Sequence, residues 1–343
     1  MSLPSSFYRY QAEIEAELKS VVGERTLPLY AMLRYHLGWV DEQGLPQENR
    51  GGKRVRPTLC LLACEAVGGD WHSALPAAAA IELIHNFSLI HDDIQDKSWK
   101  RRNRPAVWKL WGEAQGINAG DAMYALAPLA LLRLRRRGVP QGKITLASCL
   151  LNQASLRVCE GQYMDIDCEN RLDISLDNYQ ETISRKTVPL FECALRLGAL
   201  LGTDDHKLVS QLRSFGRTLG LAFQMYDDVQ GIWGEEEIMG KPLYTDIRYK
   251  KKTLPIIYAF QKAEGEEKKK LLSIYGKARI SAEDITQTLH ILDSLGARSY
   301  VEGLIKQKYL QALQELRMTT LPSPAQQELE EVAAFLLGQE IER

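Results

Sequence analysis

Asp92-Asp93-Ile94-Gln95-Asp96 follows an apolar run, Ile81–Ile90, and precedes a basic one, Lys97–Arg104. The apolar spacing leading into it is helical, and at about 100° of turn per residue Asp92 and Asp96 share a face with Asp93 on its flank. Carboxylates gathered at the end of an apolar helix repel one another unless a cation stands among them, and oxygen donors suit a hard divalent ion. The stretch therefore reads as a magnesium platform above an apolar wall, and it makes helix the working element of the fold.

Working outward, the 343 residues allow either two domains or one large helical domain. The 43 basic residues are balanced by 44 acidic ones, a net charge of −1, which speaks against a nonspecific nucleic-acid binder. The six cysteines form no CxxC pair and have no histidines at ligand spacing, so they read as reduced packing residues, Cys60 and Cys64 sharing one helix face. No basic-apolar-small segment opens the chain and no uninterrupted apolar run approaches the ~18 residues of a membrane span, so the expectation is a cytoplasmic protein without one.

The rest of the chain reads as helix after helix, with no sustained strand alternation. Two patterns within residues 6–40 part near Gly23. Gly51-Gly52-Lys53-Arg54-Val55-Arg56-Pro57 then joins two glycines to three cations ahead of a helix, and suits either an anion-binding turn or a solvated basic one. The Lys97–Arg104 run is equally open between a solvated loop and an anion site beside the carboxylates. Asp165 and Asp167 read as a helix end or as an extension of the metal site. Lys186-Thr187 precedes Pro189 within a helical pattern, so a kink there would free nearby carbonyls.

A second acidic pair, Asp227-Asp228, ends another apolar helix, with Gln224 on about the same face. The charged stretch Gly231–Thr253 that follows has the length of a lid. Two acidic helix ends near cations, over apolar walls, describe a pocket for a diphosphate carried on a hydrocarbon. Magnesium would bridge carboxylate to phosphate, Lys and Arg would complete the neutralisation, and the walls would keep water from an allylic cation.

The ordered motifs GGKRVRP, the His85 helix, DDIQD, RRNRP, Ala119-Gly120-Asp121, Lys186-Thr187, FQMYDD, GKP and KKKTLP, spread over about residues 50–260, resemble the head-to-tail trans-prenyltransferases, or isoprenyl diphosphate synthases. That resemblance implies an all-α fold, a single helical domain over 1–343 with a central apolar cavity and its motifs within 51–253, working as a homodimer with Mg2+. It also implies condensation of isopentenyl diphosphate with dimethylallyl, geranyl or farnesyl diphosphate. By the same resemblance Asp92, Asp96 and Asp227 bind magnesium, with Asp93 and Asp228 assisting directly or through water. Arg101, Lys241 and Lys251 hold the allylic diphosphate. Lys53, Arg56, His85 and Arg102 hold isopentenyl diphosphate without metal, and Lys186, Thr187 and Gln224 face the developing carbocation.

The chain departs from the family pattern at four places: Gly231 stands where a third aspartate is usual, as in archaeal-type members, Asn103 replaces a glycine, Met239 a threonine, and Tyr249-Lys250 a Glu-Gly pair. Residues four and five before Asp92 lie about one turn below the metals. Here they are Ser88 and Phe87, a pattern similar to archaeal-type geranylgeranyl diphosphate synthases, so the expected product is C20, with C15 as the alternative. Three rivals are weaker. A metal-dependent phosphohydrolase built on His91-Asp92 would need more histidines than the scattered His36, His72, His206 and His290 supply. A terpene cyclase would not need the GGKRVRP and His85 site, and a non-catalytic synthase subunit would not need both acidic pairs intact.

Overall fold

The computed structural model describes residues 3–47, 51–169, 171–234 and 244–339. Helices α1 (Ser5–Val22), α2 (Pro28–His36), α3 (Val55–Ala66) and α4 (Trp71–Gln95) come first. A two-residue ladder follows, β1 (Lys100–Arg101) antiparallel to β2 (Arg104–Pro105). Next are α5 (Val107–Trp111), α6 (Glu113–Leu132), a 3₁₀ turn at Arg133–Arg137, α7 (Gln141–Cys168), α8 (Leu176–Lys186), α9 (Val188–Gly202) and α10 (His206–Trp233). The last are α11 (Thr245–Arg248), α12 (Leu254–Lys262), α13 (Gly265–Gly276), α14 (Ala282–Ser294), α15 (Ala297–Arg317) and α16 (Ser323–Leu336). Helix makes up 77% of the structure, which places it in the all-α class.

The helix starts have local causes. Asp70 and Asp205 accept from the first-turn backbone N–H groups of His72 and of Lys207 and Leu208, while Ser175 and Ser281 close capping boxes with Asn178 and Asp284. At the heart of the bundle is α4, whose Ala77–Ala80 segment is fully buried and lets neighbouring helices come close; it packs on α1, α3, α6 and α9. It is long and apolar enough to cross a bilayer, but 78% of its most apolar 18-residue window is buried inside the protein, the setting of a core helix.

One large apolar cluster runs from Phe7 to Leu337, and a second joins Ile232 and Ile247 to the helices from α12 to α14 and the start of α15. Because α10, α12 and α15 contribute to both, the two clusters share walls. The helical pattern over Leu176–Leu201 is in fact two helices, broken at Thr187, with Pro189 in the first turn of α9 where its missing N–H costs little. Cys60, Cys64, Cys168 and Cys193 are buried, whereas Cys149 and Cys159 are exposed on α7 and do not fill the core as expected.

Candidate active site

The buried helix α4 carries one polar stripe, Glu82, His85, Asn86, Asp93 and, at its end, Asp92 and Asp96. Asp92 and Asp96 remain on the half-buried side, and the Asp92 carboxyl is pushed up by burial, a rise opposed by Lys186 and added to by Asp96. Asp93 turns the other way. It is 1% exposed, and Arg101 on β1 grips it with Nε and Nη2, at 3.0 and 2.6 Å from Oδ1. That edge of Arg101 is thereby committed, leaving Nη1 for other work.

Two lysines lie beside the open carboxylates. Lys251 Nζ donates to Asp96 Oδ2 at 3.1 Å and Lys186 Nζ to Asp165 Oδ2 at 2.6 Å. Burial works against the charge on Lys251, but Asp96, Asp246 and Asp165 outweigh it and hold the ammonium well above its ordinary range. Asp165 thus reaches the site from the end of α7, its carboxylate beside Lys186. Lys250, in the place of a glycine, takes a φ of 54° just before Lys251, and the Lys251 N–H bonds back to Asp246 O at 2.9 Å.

On the facing helix α10, Asp227 is exposed and Asp228 is buried. Asp228 receives the Tyr179 hydroxyl at 2.7 Å, the Leu254 N–H at 2.8 Å and Gln224 Nε2 at 2.9 Å. Burial still pushes its carboxyl up, to about 7, against those three hydrogen bonds. Gln224 in turn accepts from Thr187 Oγ1 through its amide oxygen. Thr187, Gln224 and Asp228 therefore form one oriented chain from the α8–α9 break to the second acidic pair. One turn below Asp227, Phe223 meets Phe191 with ring centroids 5.0 Å apart, so both acidic ends stand above aromatic walls.

Between these and the amino-terminal helices is a knot of cations, Arg54 buried and Arg56 and Arg102 half-buried. Arg54 is a structural member: it holds a left-handed φ of 51° and bonds Glu15 at 2.6 Å, Glu82 at 2.9 Å and the Leu37 carbonyl at 2.9 Å. The GGKR turn is therefore not simply solvated. Gly52, at φ 88°, leaves room for Arg102, whose Nε would lie 3.0 Å from an added Cβ. Arg102 reaches the His36 carbonyl at 3.2 Å and Asn86 Oδ1 at 3.3 Å.

Arg56 meets His85 Nε2 at 3.2 Å, and its own Nε is buried without a partner among the described residues. Burial drives Arg56 and Arg102 down to about 10 in spite of neighbouring carboxylates, and it holds His85 well below the usual histidine range with help from Arg56 and Arg102. Desolvated guanidinium groups with donors unspent are a place for an anion. Lys53 is exposed nearby, its Nζ 5.1 Å from the centre of the Phe335 ring on α16.

The basic run divides by task. Lys97 pairs with Glu113 at 2.7 Å, and Arg104 bonds the Val40 carbonyl at 2.7 Å while lying over the Tyr35 ring. Arg101 and Arg102 alone turn inward to the site. Arg102 and Asn103 both have positive φ, 52° and 60°, the geometry of a tight hairpin turn, which asparagine tolerates in place of glycine. Below Asp92, the Phe87 ring meets His91 and Tyr124 edge-on at 4.9 and 5.3 Å, and Ser88 is half-buried beside it. A Cβ on Gly120 would collide with the His91 ring, so this glycine is what lets α6 seat that ring.

The sequence matches a known family model, polyprenyl synthetase, over residues 44–292. The chain belongs to the polyprenyl synthetase family. It is 35% identical over 314 residues to a (2E,6E)-farnesyl diphosphate synthase of Mycobacterium tuberculosis, covering 90% of this chain and 86% of the relative. A geranylgeranyl diphosphate synthase of Methanosarcina mazei is 37% identical over 290 residues, with coverage of 84% and 86%. The crystal structure of geranylgeranyl pyrophosphate synthetase from Pyrococcus horikoshii superposes with a TM-score of 0.86 at 36% identity, covering 98% of each chain.

This polyprenyl synthetase is thus a prenyltransferase, whose family substrates are isoprenyl diphosphates and whose family uses Mg2+ to bind them. Lys241, with Met239, lies outside the described residues. The other expected residues fall into five sets: Asp92, Asp96, Lys186 and Lys251; the paired Asp93 and Arg101; Thr187, Gln224 and Asp228 with Asp227 beside them; Arg56, His85 and Arg102 with Lys53 at their edge; and Phe87 with Ser88 below Asp92. Sequence reasoning passed over Tyr179, Glu82 and Gln162, which donates to Gln95 at 2.9 Å. Only the spacing of Gln162 and Asp165, three apart on one helix face, hinted that α7 faces the site.

Proposed function

We propose that this prenyltransferase condenses isopentenyl diphosphate with allylic diphosphates to geranylgeranyl diphosphate (C20). The observation that carries the product length is the Phe87 ring one turn below Asp92, backed by Tyr124 and His91, with the small Ser88 beside it. A ring in that place blocks a chain growing down from the metals. Farnesyl diphosphate (C15) is the second reading, favoured by the likeness to the mycobacterial farnesyl diphosphate synthase.

The donor set fits magnesium: the groups with open faces are carboxylates, whose oxygens suit a hard divalent ion. Mg2+ held by Asp92, Asp96 and Asp227 would neutralise the allylic diphosphate and favour its departure by stabilising charge on the leaving oxygen. Asp93 and Asp228 serve by what they hold, Arg101 in one case and Gln224 in the other. The free edge of Arg101, with Lys251 and Lys241, grips the allylic diphosphate.

Arg56, His85, Arg102 and Lys53 receive isopentenyl diphosphate. With its ring neutral, His85 accepts from Arg56 and leaves the guanidinium to bear the charge. The oxygen dipoles at Lys186, Thr187 and Gln224 face the carbon left electron-poor, and the apolar walls exclude water from it. All 343 residues act as one domain, and two copies form a homodimer. The test is incubation with isopentenyl diphosphate and dimethylallyl, geranyl or farnesyl diphosphate, with and without Mg2+, followed by product sizing. A C20 product requiring Mg2+ is expected; a product stopping at C15 overturns the length, and no elongation from any primer overturns the activity.

A further inference from the structure

The hairpin that presents Arg101 and Arg102 to the site also has an outer side. From Lys97 to Lys109 the chain carries six cations and no carboxylate, against a net charge of −1 for the whole protein. Arg101, Arg102 and Arg104 turn to Asp93, to Asn86 and to backbone carbonyls. Lys97 is paired with Glu113, whereas Lys100 and Lys109 are exposed and make no ion pair among the described residues. Beside them stands Trp99, 61% exposed, with the Lys109 ammonium 3.9 Å from the centre of its ring. Trp108 repeats the pairing, Lys97 Nζ lying 5.7 Å from its ring centre, and Leu110 adds an exposed apolar side chain next to Lys109.

A fixed backbone carries these side chains. The Trp99 carbonyl accepts the Ala106 N–H at 2.9 Å, one step before the Lys100–Pro105 pair of the ladder, and Trp108 Nε1 donates to the Ser98 carbonyl at 2.8 Å. Alternation along the strand turns Arg101 inward to Asp93 and Lys100 outward. An indole held this far out in water, faced by a lysine alone, is badly solvated over most of its surface. A bilayer surface suits it better: an indole settles at headgroup level, and lysines reach lipid phosphates while their stems lie along apolar surface. The place matters as well. Trp99 is three residues after Asp96, at the acidic end of α4. The enzyme lengthens isoprenyl diphosphates, amphiphiles whose hydrocarbon grows with each turnover, so lipid at this end gives the product a phase to enter. Single-stranded nucleic acid also stacks on indoles among lysines, but the apolar Leu110 and the oily product favour lipid.

We propose that Trp99, Lys100 and Lys109 dock this protein on anionic phospholipid bilayers, with the acidic end of α4 turned toward the lipid. The docking is peripheral and reaches only the headgroup layer. The indole supplies the hold, and the lysines select anionic over neutral lipid. Such docking is independent of the product length and of which residues hold metal.

The test is cosedimentation of the full-length protein with vesicles of mixed phosphatidylglycerol and phosphatidylcholine, and with vesicles of phosphatidylcholine alone. It compares the parent with Trp99→Gln and with Lys100→Gln/Lys109→Gln. The parent should pellet with the anionic vesicles and leave them as NaCl rises from about 0.1 to about 0.5 M. Removing both lysines should weaken that binding about 30-fold, near 5-fold for each, and Trp99→Gln should weaken it roughly 10-fold. Elongation of dimethylallyl diphosphate without lipid should be unchanged in both variants, which separates a lost contact from a disturbed fold. A parent that stays in the supernatant, or variants that pellet as the parent does, overturns the proposal. So does equal binding to phosphatidylcholine alone, or tighter retention of a single-stranded oligonucleotide than of anionic vesicles. Should Trp99→Gln not fold, the lysine pair, exposed on the hairpin and α5, still decides.

Discussion

His36 and His85 show how the cationic knot is tuned one residue at a time. Both rings are held well below the usual histidine range, by burial first and then by Arg102, Arg101 and Arg54 around His36 and by Arg56, Arg102 and Arg101 around His85. The unfolded chain binds protons on these rings below about pH 6.5 and the folded protein does not, so their contribution to stability is complete above that pH. It drains as the pH falls, by at most about 1.4 kcal/mol per pH unit for each ring. His36 Nε2 is buried with no partner among the described residues, and the ring's hydrogen bond with Asn86 is what a phenyl ring of similar shape would give up. Thermal unfolding of His36→Phe should therefore shift less between about pH 7.5 and pH 5 than that of the parent. An equal shift in both would mean that His36 does not carry the acid sensitivity. None of this was legible in the sequence, where His36 was one of several scattered histidines: its surroundings come from residues 54, 101 and 102, brought together only by the hairpin and the left-handed turn at Arg54.

At the scale of elements, the site is the meeting of two apolar helices with acidic ends, and that much follows from spacing. The i, i+4 pattern of Asp92 and Asp96 and the apolar residues below them need no tertiary information. The floor is a further consequence of the same helix. Phe87→Ala should open the space below Ser88 and yield products longer than those of the parent, read by product sizing with the same primers. It should also cost about 3 kcal/mol in unfolding free energy as an aromatic group is lost from the core. Unchanged product length would remove Phe87 as the floor. A kink near Thr187 was legible from Pro189, which cannot continue a helix without loss, but the full break into two helices was not. Invisible were the partners from distant elements: Asp165 beside Lys186 and Tyr179 under Asp228 depend on helix contacts that no local periodicity encodes. The backbone at Asn103 and Lys250 adopts positive φ without glycine, so the loop geometry survives two of the departures from the family pattern.

For the whole molecule, one face of the bundle is left without a cover. On α6, Ala119, Met123, Leu126, Ala127 and Ala130 are buried, yet Ile117, Leu129 and Leu132 are 46%, 54% and 56% exposed; on the adjoining α7, Leu156 and Tyr163 are 61% and 72% exposed. A helix apolar on all sides ordinarily lies within a core, and these two helices have apolar residues on both the covered and the open side. In the sequence that pattern cannot be told from a fully buried helix, which is why a homodimer followed only from the family resemblance. Exposed apolar residues on two adjoining helices suit a self-complementary interface, the same surface meeting itself across a two-fold axis. The full-length protein should sediment as a dimer at micromolar concentration, and Leu129→Glu with Leu156→Glu should give a monomer with unchanged helical circular dichroism. Exposed positions tolerate charge in the folded monomer, so a loss of helix in the double variant would place these residues in the core instead. A parent that sediments as a monomer would leave the α6–α7 face without the partner its composition calls for.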